Sequence, residues 1–259
     1  MIISDKNAQT IICGYLCTQN EDLKKLLLIV NKLFDEFSFV DNQTYPRPSH
    51  PLPELRTDAY TTLVAVIISL RTTLENERKA VAAFRNKYKS IDDVVNSNPE
   101  ELAQCIKMAG MPLRKANTII KASEYIVSEL NGDITQLKSD NIVKTRENLL
   151  RISGIGEKSA DCILELGFDL PSIVVDINVF RVISRMYLFE WAAKPDFNAK
   201  CQVQRIKEFL ESFLPQDFEI HQIVHTMILL QGKHVCMSKP KCHLCRVKEY
   251  CKYRRTLNE

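Results

Sequence analysis

Four cysteines near the C-terminus form the group of residues in this chain that is best suited to chemistry. Cys236, Cys242, Cys245 and Cys251 lie within sixteen residues, with the spacing C-x5-C-x2-C-x5-C. Thiolates this close in sequence can surround one metal centre without help from the rest of the chain. A disulfide pair is the poorer interpretation, because no secretory context is recognisable and nine cysteines leave one over.

The spacing leaves the kind of metal open. Paired C-x2-C units are typical of zinc sites, and here only Cys242 and Cys245 form such a unit. Four cysteines in which this central pair is separated from the outer two by longer gaps suit an iron–sulfur cluster equally well. The spacing alone therefore predicts a metal centre that is either zinc or iron–sulfur.

A second candidate site is the segment Gly154-Ile155-Gly156, which lies between two stretches of helical periodicity. Both glycines can adopt positive φ and keep the turn free of side chains. Backbone N–H groups at the start of the next helix would then bind phosphate oxygens without reading any base sequence. Lys158 falls in the first turn of that helix, where the dipole disfavours a cation, so helix stability gives no reason for it. The alternative is an ordinary turn between helices.

Asp176 is the third candidate, eighteen residues after Lys158 and at the end of the apolar run Ile173–Val175. We expect this aspartate to cap the following helix. A lysine and a carboxylate in one cleft would also have a chemical use. A lysine amine attacks carbon only after losing its proton, and a carboxylate can accept a proton or stabilise positive charge on a sugar.

The overall composition favours an all-α fold of one or two domains. The 259 residues are 45% hydrophobic and 26% charged, with only seven glycines. Residues 236–259 carry seven basic and two acidic side chains, so this segment has a charge of +5 and the rest of the chain −2, which together give the net +3. A cationic tip on a nearly neutral body indicates a polyanionic partner. No apolar run is long enough to span a membrane, so we expect an intracellular protein.

Helical periodicity covers most of the chain and defines the elements that must position these residues. It predicts helices in five segments: after Asn20, over 61–70, from a capping box at Thr72, from Pro99 behind an Asn98 N-cap, and over 112–130. Four prolines within residues 45–53 predict an extended linker. Ile173–Val175 is the best candidate for a strand and is too short to form a sheet.

These motifs jointly resemble the endonuclease III family of DNA glycosylases. The resemblance covers residues 21–255 and is carried by Gly-Ile-Gly-Glu-Lys-Ser-Ala at 154–160, Val-Asp-Ile-Asn-Val-Phe-Arg-Val at 175–182 and the four-cysteine loop. Similar segments also occur at 63–73, 114–120 and 228–236. The resemblance implies an all-α fold with two helical lobes around a DNA cleft, a helix-hairpin-helix motif and a C-terminal [4Fe–4S] cluster loop.

The same resemblance implies a domain organisation. Residues 1–51 would hold an N-terminal helix and the proline-rich linker, and residues 52–170 a six-helix barrel with the helix-hairpin-helix. Residues 171–259 would hold the C-terminal helices and the iron–sulfur loop. The N-terminal helix would join the lobe that contains the cluster.

The resemblance also assigns roles to particular residues. Lys158 matches the family's Schiff-base lysine, Asp176 matches its catalytic aspartate, and the four cysteines match the [4Fe–4S] ligands. The DNA-binding residues would be the following: Gly154, Ile155, Gly156, Arg71, Lys239 and Lys241. The implied protein is a monomeric base-excision-repair glycosylase with apurinic/apyrimidinic lyase activity. It would act on double-stranded DNA with a damaged or mismatched base, with oxidised pyrimidines as the expected lesions.

Three departures from the family pattern bear on the substrate. The first cysteine gap has five residues where the enterobacterial type has six. Arg71 replaces a glutamine that fills the space left by the flipped base, and Leu74 replaces an aspartate. Asn178 replaces a histidine. A mismatch-specific thymine or uracil glycosylase is therefore an alternative. The alternative from another class is a non-catalytic helix-hairpin-helix DNA-binding protein with structural zinc, which an alanine or serine at position 158 or 176 would have favoured.

Overall fold

The computed structural model describes residues 5–37, 58–187, 189–190 and 196–257. Within these ranges all regular structure is helical, with thirteen α-helices and three short 3-10 turns. The all-α class predicted from composition is thereby confirmed. None of the described helices combines the length and apolarity that crossing a membrane requires.

The described helices begin and end at well-defined residues. In chain order they are α1 Asp5–Tyr15, α2 Glu21–Phe37, α3 Ala59–Ser69, α4 Leu74–Lys87, α5 Ile91–Val95, α6 Pro99–Cys105, α7 Pro112–Leu130, α8 Ile142–Leu150, α9 Glu157–Gly167, α10 Ile177–Tyr187, α11 Lys200–Glu211, α12 Phe218–His234 and α13 Lys252–Thr256.

These helices belong to two compact units. The hairpin unit is Leu52–Leu170 and contains α3 to α9. The cysteine unit joins Met1–Pro51 to Pro171–Glu259 and contains α1, α2 and α10 to α13. Each unit has an apolar core of its own.

In the hairpin unit, α7 packs against α5 and α6, and α3 packs against α4 and α9. Helix α3 buries apolar side chains on nearly every side, as predicted, with Leu63 and Ile68 fully excluded from solvent. Pro99 begins α6 behind the Asn98 cap, whose carboxamide accepts the Glu100 N–H at 2.8 Å. These local signals were read correctly from the sequence.

In the cysteine unit, α12 packs against α10, α2 and α1. Helix α2 starts after Asn20, as predicted, and the Asn20 side chain accepts the N–H groups of Asp22 and Leu23 at 3.1 Å. Its buried face includes Leu23, Leu26, Leu27 and Val30, while the side chains of Phe34 and Phe37, predicted for the same face, lie outside the description. Helix α1, which the periodicity did not predict, buries Ile12 in this core.

Several predicted boundaries were wrong by one or two residues. Helix α3 runs over Ala59–Ser69 instead of 61–70, because Asp58 caps it by accepting the Thr61 N–H at 2.7 Å. The N-cap of α4 is Thr73 and not Thr72, so the predicted capping box is shifted by one position. Ile173–Val175 is buried but forms no strand. The proline-rich linker predicted at 45–53 lies outside the described residues.

Candidate functional site

Helices α8 and α9 form the predicted hairpin in the hairpin unit. The Arg146 guanidinium of α8 donates to the buried Asp161 carboxylate of α9 through Nε at 2.8 Å and Nη2 at 3.4 Å. Two-point contacts of this kind fix orientation as well as distance. Between the helices, Ile152 and Ile155 are buried in the core and anchor the connecting turn.

The two hairpin glycines have different roles. Gly154 has a φ of +87°, and a Cβ there would lie 2.5 Å from Cγ2 of Thr118, so the left-handed backbone and the close approach both require glycine. Gly156 has a φ of −99° and open space where a Cβ would project. Of the two glycines that could adopt positive φ, Gly154 does so and Gly156 does not, and Gly156 is the N-cap of α9.

Helix α9 starts without a side-chain cap, because Gly156 has no side chain to provide one. The first N–H groups of a helix have no acceptor within the helix and carry the positive end of its dipole. The start of α9 therefore has the N–H groups without a side-chain cap that the predicted anion site requires.

Lys158 is the second residue of α9, and its side chain is exposed. The carboxylates described within the hairpin unit include none that is paired with its ammonium group. The cation therefore lies at the positive end of the helix dipole, which is the unfavourable end for it, and its role in chemistry stays a prediction.

Asp176 lies in the cysteine unit, immediately before α10, and is half-buried. Its Oδ1 accepts the backbone N–H groups of Asn178 and Val179, both at 2.8 Å. The predicted cap of α10 is confirmed. The second oxygen, Oδ2, accepts the Asn178 carboxamide N–H at 2.8 Å, so three hydrogen bonds hold the carboxylate in one orientation.

Asn178 links this carboxylate to the approach of the cysteine loop. Its Oδ1 accepts an N–H of Arg181 at 2.9 Å, and Arg181 in turn donates to the carbonyls of Gly232 and Cys236 at 2.9 and 2.8 Å. Gly232 lies so close to Asn178 that a Cβ on the glycine would be 2.6 Å from the Asn178 Cβ. The asparagine that departs from the family pattern thus packs tightly from the start of α10 against Gly232 of α12.

The four predicted cysteine ligands line one small, partly open cavity of about 30 Å³ in the cysteine unit. Basic and aromatic side chains complete its wall, among them Arg185, Lys248, Tyr253 and Arg254. Within the ranges that the structure covers, no group of three or more His, Cys, Asp or Glu side chains converges on a point where a single metal ion could bind. The cysteines surround a space instead.

Two side chains of the cysteine unit donate hydrogen bonds to sulfur atoms of these cysteines. Arg185, which is 5% exposed, donates to the Cys236 sulfur at 3.5 Å and to the carbonyls of Met237 and Ser238 at 2.6 and 3.0 Å. Gln231 donates to the Cys245 sulfur at 3.2 Å. Donors aimed at sulfur are typical of sites whose cysteines are thiolates bound to metal.

The cysteine side chains fit the [4Fe–4S] cluster that the family resemblance implies. Such a cluster takes four cysteine thiolates and occupies a space between them, and here all four line one cavity. Burial raises the pKa of the Cys245 thiol to about 11, and burial also raises the pKa of Cys251. Thiols in this environment hold their protons unless a metal replaces them.

Arg71 and the basic loop are exposed, as their predicted DNA-binding role requires. Arg71 follows α3 and has a φ of +53°, a left-handed conformation that is uncommon for a residue with a side chain. Lys239 and Lys241 are exposed in the cysteine loop. Leu74 begins α4, and its side chain lies outside the description.

Comparison with known proteins identifies the family. Residues 64–225 match the sequence pattern of the HhH-GPD superfamily of base excision DNA repair proteins. Endonuclease III of Rickettsia conorii is 30% identical over 228 residues, which cover 87% of this chain and 96% of that protein. The chain belongs to the HhH-GPD superfamily. The endonuclease III resemblance inferred from the motifs is confirmed, and with it the class of DNA repair glycosylase.

Solved structures confirm the HhH-GPD fold. A trapped endonuclease III–DNA covalent intermediate superimposes with a TM-score of 0.68 at 22% identity and covers 91% of this chain and 98% of that one. A thermostable thymine-DNA glycosylase superimposes with a TM-score of 0.71, also at 22% identity, and covers 92% and 100%. Lys158 lies in the hairpin unit and Asp176 lies in the cysteine unit.

Sequence reasoning did not identify three basic residues whose side chains hydrogen-bond backbone carbonyls near the candidate site residues. Arg181 and Arg185 bind α10 to the cysteine loop, and Lys115 is buried and donates to the Ile68 carbonyl, three residues before Arg71. The signal for the two arginines was their i,i+4 spacing on a helix whose other residues are mostly apolar. Lys115 gave no such signal, because its burial depends on segments distant in sequence.

Proposed function

We propose that this glycosylase is bifunctional: it removes a damaged base and then cleaves the abasic strand as a lyase. The observation that carries this proposal is Lys158, an exposed lysine at the uncapped start of α9, next to the glycine turn suited to a DNA phosphate. Purified protein incubated with an abasic duplex tests it, because a β-elimination product is expected and a hydrolytic enzyme without lyase activity would give none.

Lys158 acts as the nucleophile. After the damaged nucleotide is flipped from the duplex, the amine forms a bond to C1′ of the sugar and the glycosidic bond to the base breaks. Opening of the sugar ring gives an imine between Lys158 and C1′. Loss of a proton from C2′ then expels the 3′ phosphate, and hydrolysis of the imine regenerates the lysine.

Asp176 acts as the acid/base group and stabilises positive charge that develops on the sugar. Its three hydrogen bonds, all from Asn178 and Val179, support this role because they fix the carboxylate in one orientation. A fixed charge costs no reorganisation when the transition state forms. Capping and catalysis are compatible uses of the same side chain.

Backbone N–H groups and basic side chains bind the DNA strand. The N–H groups at the start of α9 bind a phosphate, with Gly154 and Gly156 leaving room for it and Ile155 anchoring the turn. Lys239 and Lys241 are exposed on the cysteine loop and contact the backbone as point charges. The protein accordingly binds damaged double-stranded DNA as a monomer.

The cysteine unit holds a [4Fe–4S] cluster through Cys236, Cys242, Cys245 and Cys251. When bound, the cluster supplies cross-links among four points of a loop that has little apolar core of its own. Val247 is the loop residue between Cys242 and Cys251 that is fully buried. Arg185 and Gln231 keep the cysteines oriented, and the loop presents its lysines to DNA.

We expect protein purified without oxygen to be brown and to contain iron and acid-labile sulfide. Serine at any of the four positions should remove the cluster and lower the Tm of the cysteine unit by at least about 4 °C, because a loss of ~2 kcal/mol has that effect in a domain of this size. Cys201→Ser is the matched control, since Cys201 is exposed in the same unit. Stoichiometric zinc without sulfide would contradict the assignment and favour the zinc-binding alternative.

Arg71 sets the preference for the base opposite the lesion. Glutamine can donate and accept hydrogen bonds, whereas an arginine only donates, and its planar guanidinium pairs best with O6 and N7 of guanine. The exposed, left-handed position of Arg71 supports its reaching the gap left by the flipped nucleotide. Oxidised cytosines and deaminated products paired with guanine are then the favoured substrates, which includes those of a mismatch-specific thymine or uracil glycosylase.

We expect the wild-type protein to excise a lesion opposite guanine at least about fivefold faster than the same lesion opposite adenine, because one bidentate contact is worth roughly 1–3 kcal/mol. Arg71→Gln should remove most of this difference. The measurement is single-turnover excision of one lesion in the two duplexes by both proteins. Equal rates opposite both bases, unchanged by the substitution, would mean that Arg71 contacts only a phosphate.

A further inference from the structure

We propose that Lys115 is a positioning residue that fastens together two turns of the hairpin unit, so that Arg71 and Met111 contact DNA as one rigid surface. The inference rests on the proposed function for the DNA-binding role of these turns. What it adds is a buried lysine that couples the turn of Met111 to the turn of Arg71.

Lys115 is buried although it carries a charge. Only 3% of the residue is exposed, and its ammonium group donates to the carbonyls of Ile68 and Ala109, each at 2.7 Å. Burial lowers the pKa of Lys115, and the nearby Glu77 raises it in part. Lysine is among the residues least often buried completely, so one that is buried with two strong hydrogen bonds needs a specific explanation.

The two bonded carbonyls belong to different turns. Ile68 lies in the last turn of α3, just before Arg71, and Ala109 ends a 3-10 turn just before Met111. Because both oxygens accept from one nitrogen, they are at most 5.4 Å apart, twice 2.7 Å. The backbone N–H of Lys115 also donates to the Met111 carbonyl at 3.1 Å, so this residue holds the second turn from two sides.

Each turn ends in a left-handed residue with an exposed side chain. Arg71 has a φ of +53° and Met111 a φ of +48°, and Met111 is 38% exposed although it is apolar. Non-glycine residues adopt this conformation at a cost and persist there only when the surroundings hold them, which is typical of functional sites. Pro112 restricts the backbone directly after Met111, and Gly110 supplies a positive φ of +72° directly before it.

The pairing of a planar cation with an apolar side chain fits a gap in a DNA duplex. Arginine can donate to base edges, and apolar side chains can enter between base steps that have lost a stacking neighbour. A gap left by a flipped nucleotide offers both an unpaired base and an unstacked step. Neither side chain would hold its place if its turn moved separately, and Lys115 joins the two.

Binding to a duplex with a tetrahydrofuran abasic analogue tests this proposal, because that analogue undergoes no glycosylase or lyase chemistry. Lys115→Met keeps the length of the side chain and removes all its donors. We expect it to weaken binding at least about tenfold and to change the fluorescence of a 2-aminopurine placed opposite the analogue, which reports stacking in the gap. Ser123→Ala is the matched control on the same helix, because Ser123 is fully buried and shares a 2.7 Å hydrogen bond with Tyr60.

The control separates positioning from general stability. Ser123→Ala should lower Tm as Lys115→Met does, with affinity and 2-aminopurine fluorescence within about twofold of the wild type. Equal losses of affinity in both variants, or an unchanged signal in Lys115→Met, would overturn the proposal. Failure of the wild type to prefer the analogue duplex over undamaged DNA would overturn the proposed function as well.

A double-mutant cycle keeps the test decisive even if Lys115→Met does not fold. Arg71→Ala and Met111→Ala, made in the chain that retains Lys115, should each weaken binding to the analogue duplex about fivefold or more. If the two turns act together, the double variant should bind at least about threefold more tightly than the product of the single effects predicts. Independent, multiplicative effects would show that the turns are not coupled.

Discussion

Replacing Lys158 by glutamine is expected to abolish the covalent adduct that borohydride traps between this protein and abasic DNA. Borohydride reduces an imine to a stable amine, so the adduct forms only where a primary amine has condensed with C1′ of the sugar. Glutamine keeps most of the side-chain length and cannot form an imine. We expect adduct formation and strand cleavage to fall on the order of a thousandfold or more, as for other lost nucleophiles.

Affinity for abasic DNA should change little in the same variant, because the start of α9 and its free N–H groups do not depend on the lysine side chain. Lys144→Gln is the matched control: Lys144 is an exposed lysine of α8, in the same hairpin, and forms a surface ion pair with Glu147 at 3.6 Å. It should retain the adduct at wild-type yield. If the adduct persists in Lys158→Gln and disappears in Lys144→Gln, the nucleophile is Lys144 of α8 and not Lys158.

The sequence predicted best those features whose causes lie within a few residues. Asn98 and Pro99 start α6, because an N-cap and a proline in the first turn act through neighbours along the chain. The four cysteines share a cavity for the same reason, since sixteen residues can close around one centre. Errors of one residue, as at Thr72 and Thr73, arose where two adjacent residues could cap equally well.

Contacts between distant segments could not be predicted from one sequence. Gly154 and Gly156 look equivalent in the pattern, and only the folded chain shows that the first has a φ of +87° and lies against Thr118, 36 positions earlier. Arg181 and Arg185 bind carbonyls more than fifty residues away, and Lys115 bonds Ile68 across 47 positions. These groups support the candidate site, and each depends on packing that periodicity does not specify.

Replacing Asp176 by asparagine is expected to slow base release by at least about a hundredfold, the lower range for a lost acid/base group. The helix cap should survive, because asparagine and aspartate cap helices about equally well and the Asn oxygen can still accept the N–H groups of Asn178 and Val179. The charge near the sugar is lost. The measurement is single-turnover excision, with Tm recorded for each variant.

Asp217→Asn is the matched control for this substitution, because Asp217 caps α12 in the same unit through the N–H groups of Glu219 and Ile220. Equal small changes of Tm in both variants, with slow excision only in Asp176→Asn, would separate catalysis from capping. The two variants differ in one contact, that of the Asn178 carboxamide with residue 176. The Asn178 carboxamide, whose oxygen accepts from Arg181, would face a second amide in Asp176→Asn. If excision slows equally in Asp217→Asn, or if Asp176→Asn loses iron together with activity, the carboxylate supports the fold of the cysteine unit and is not the acid/base group.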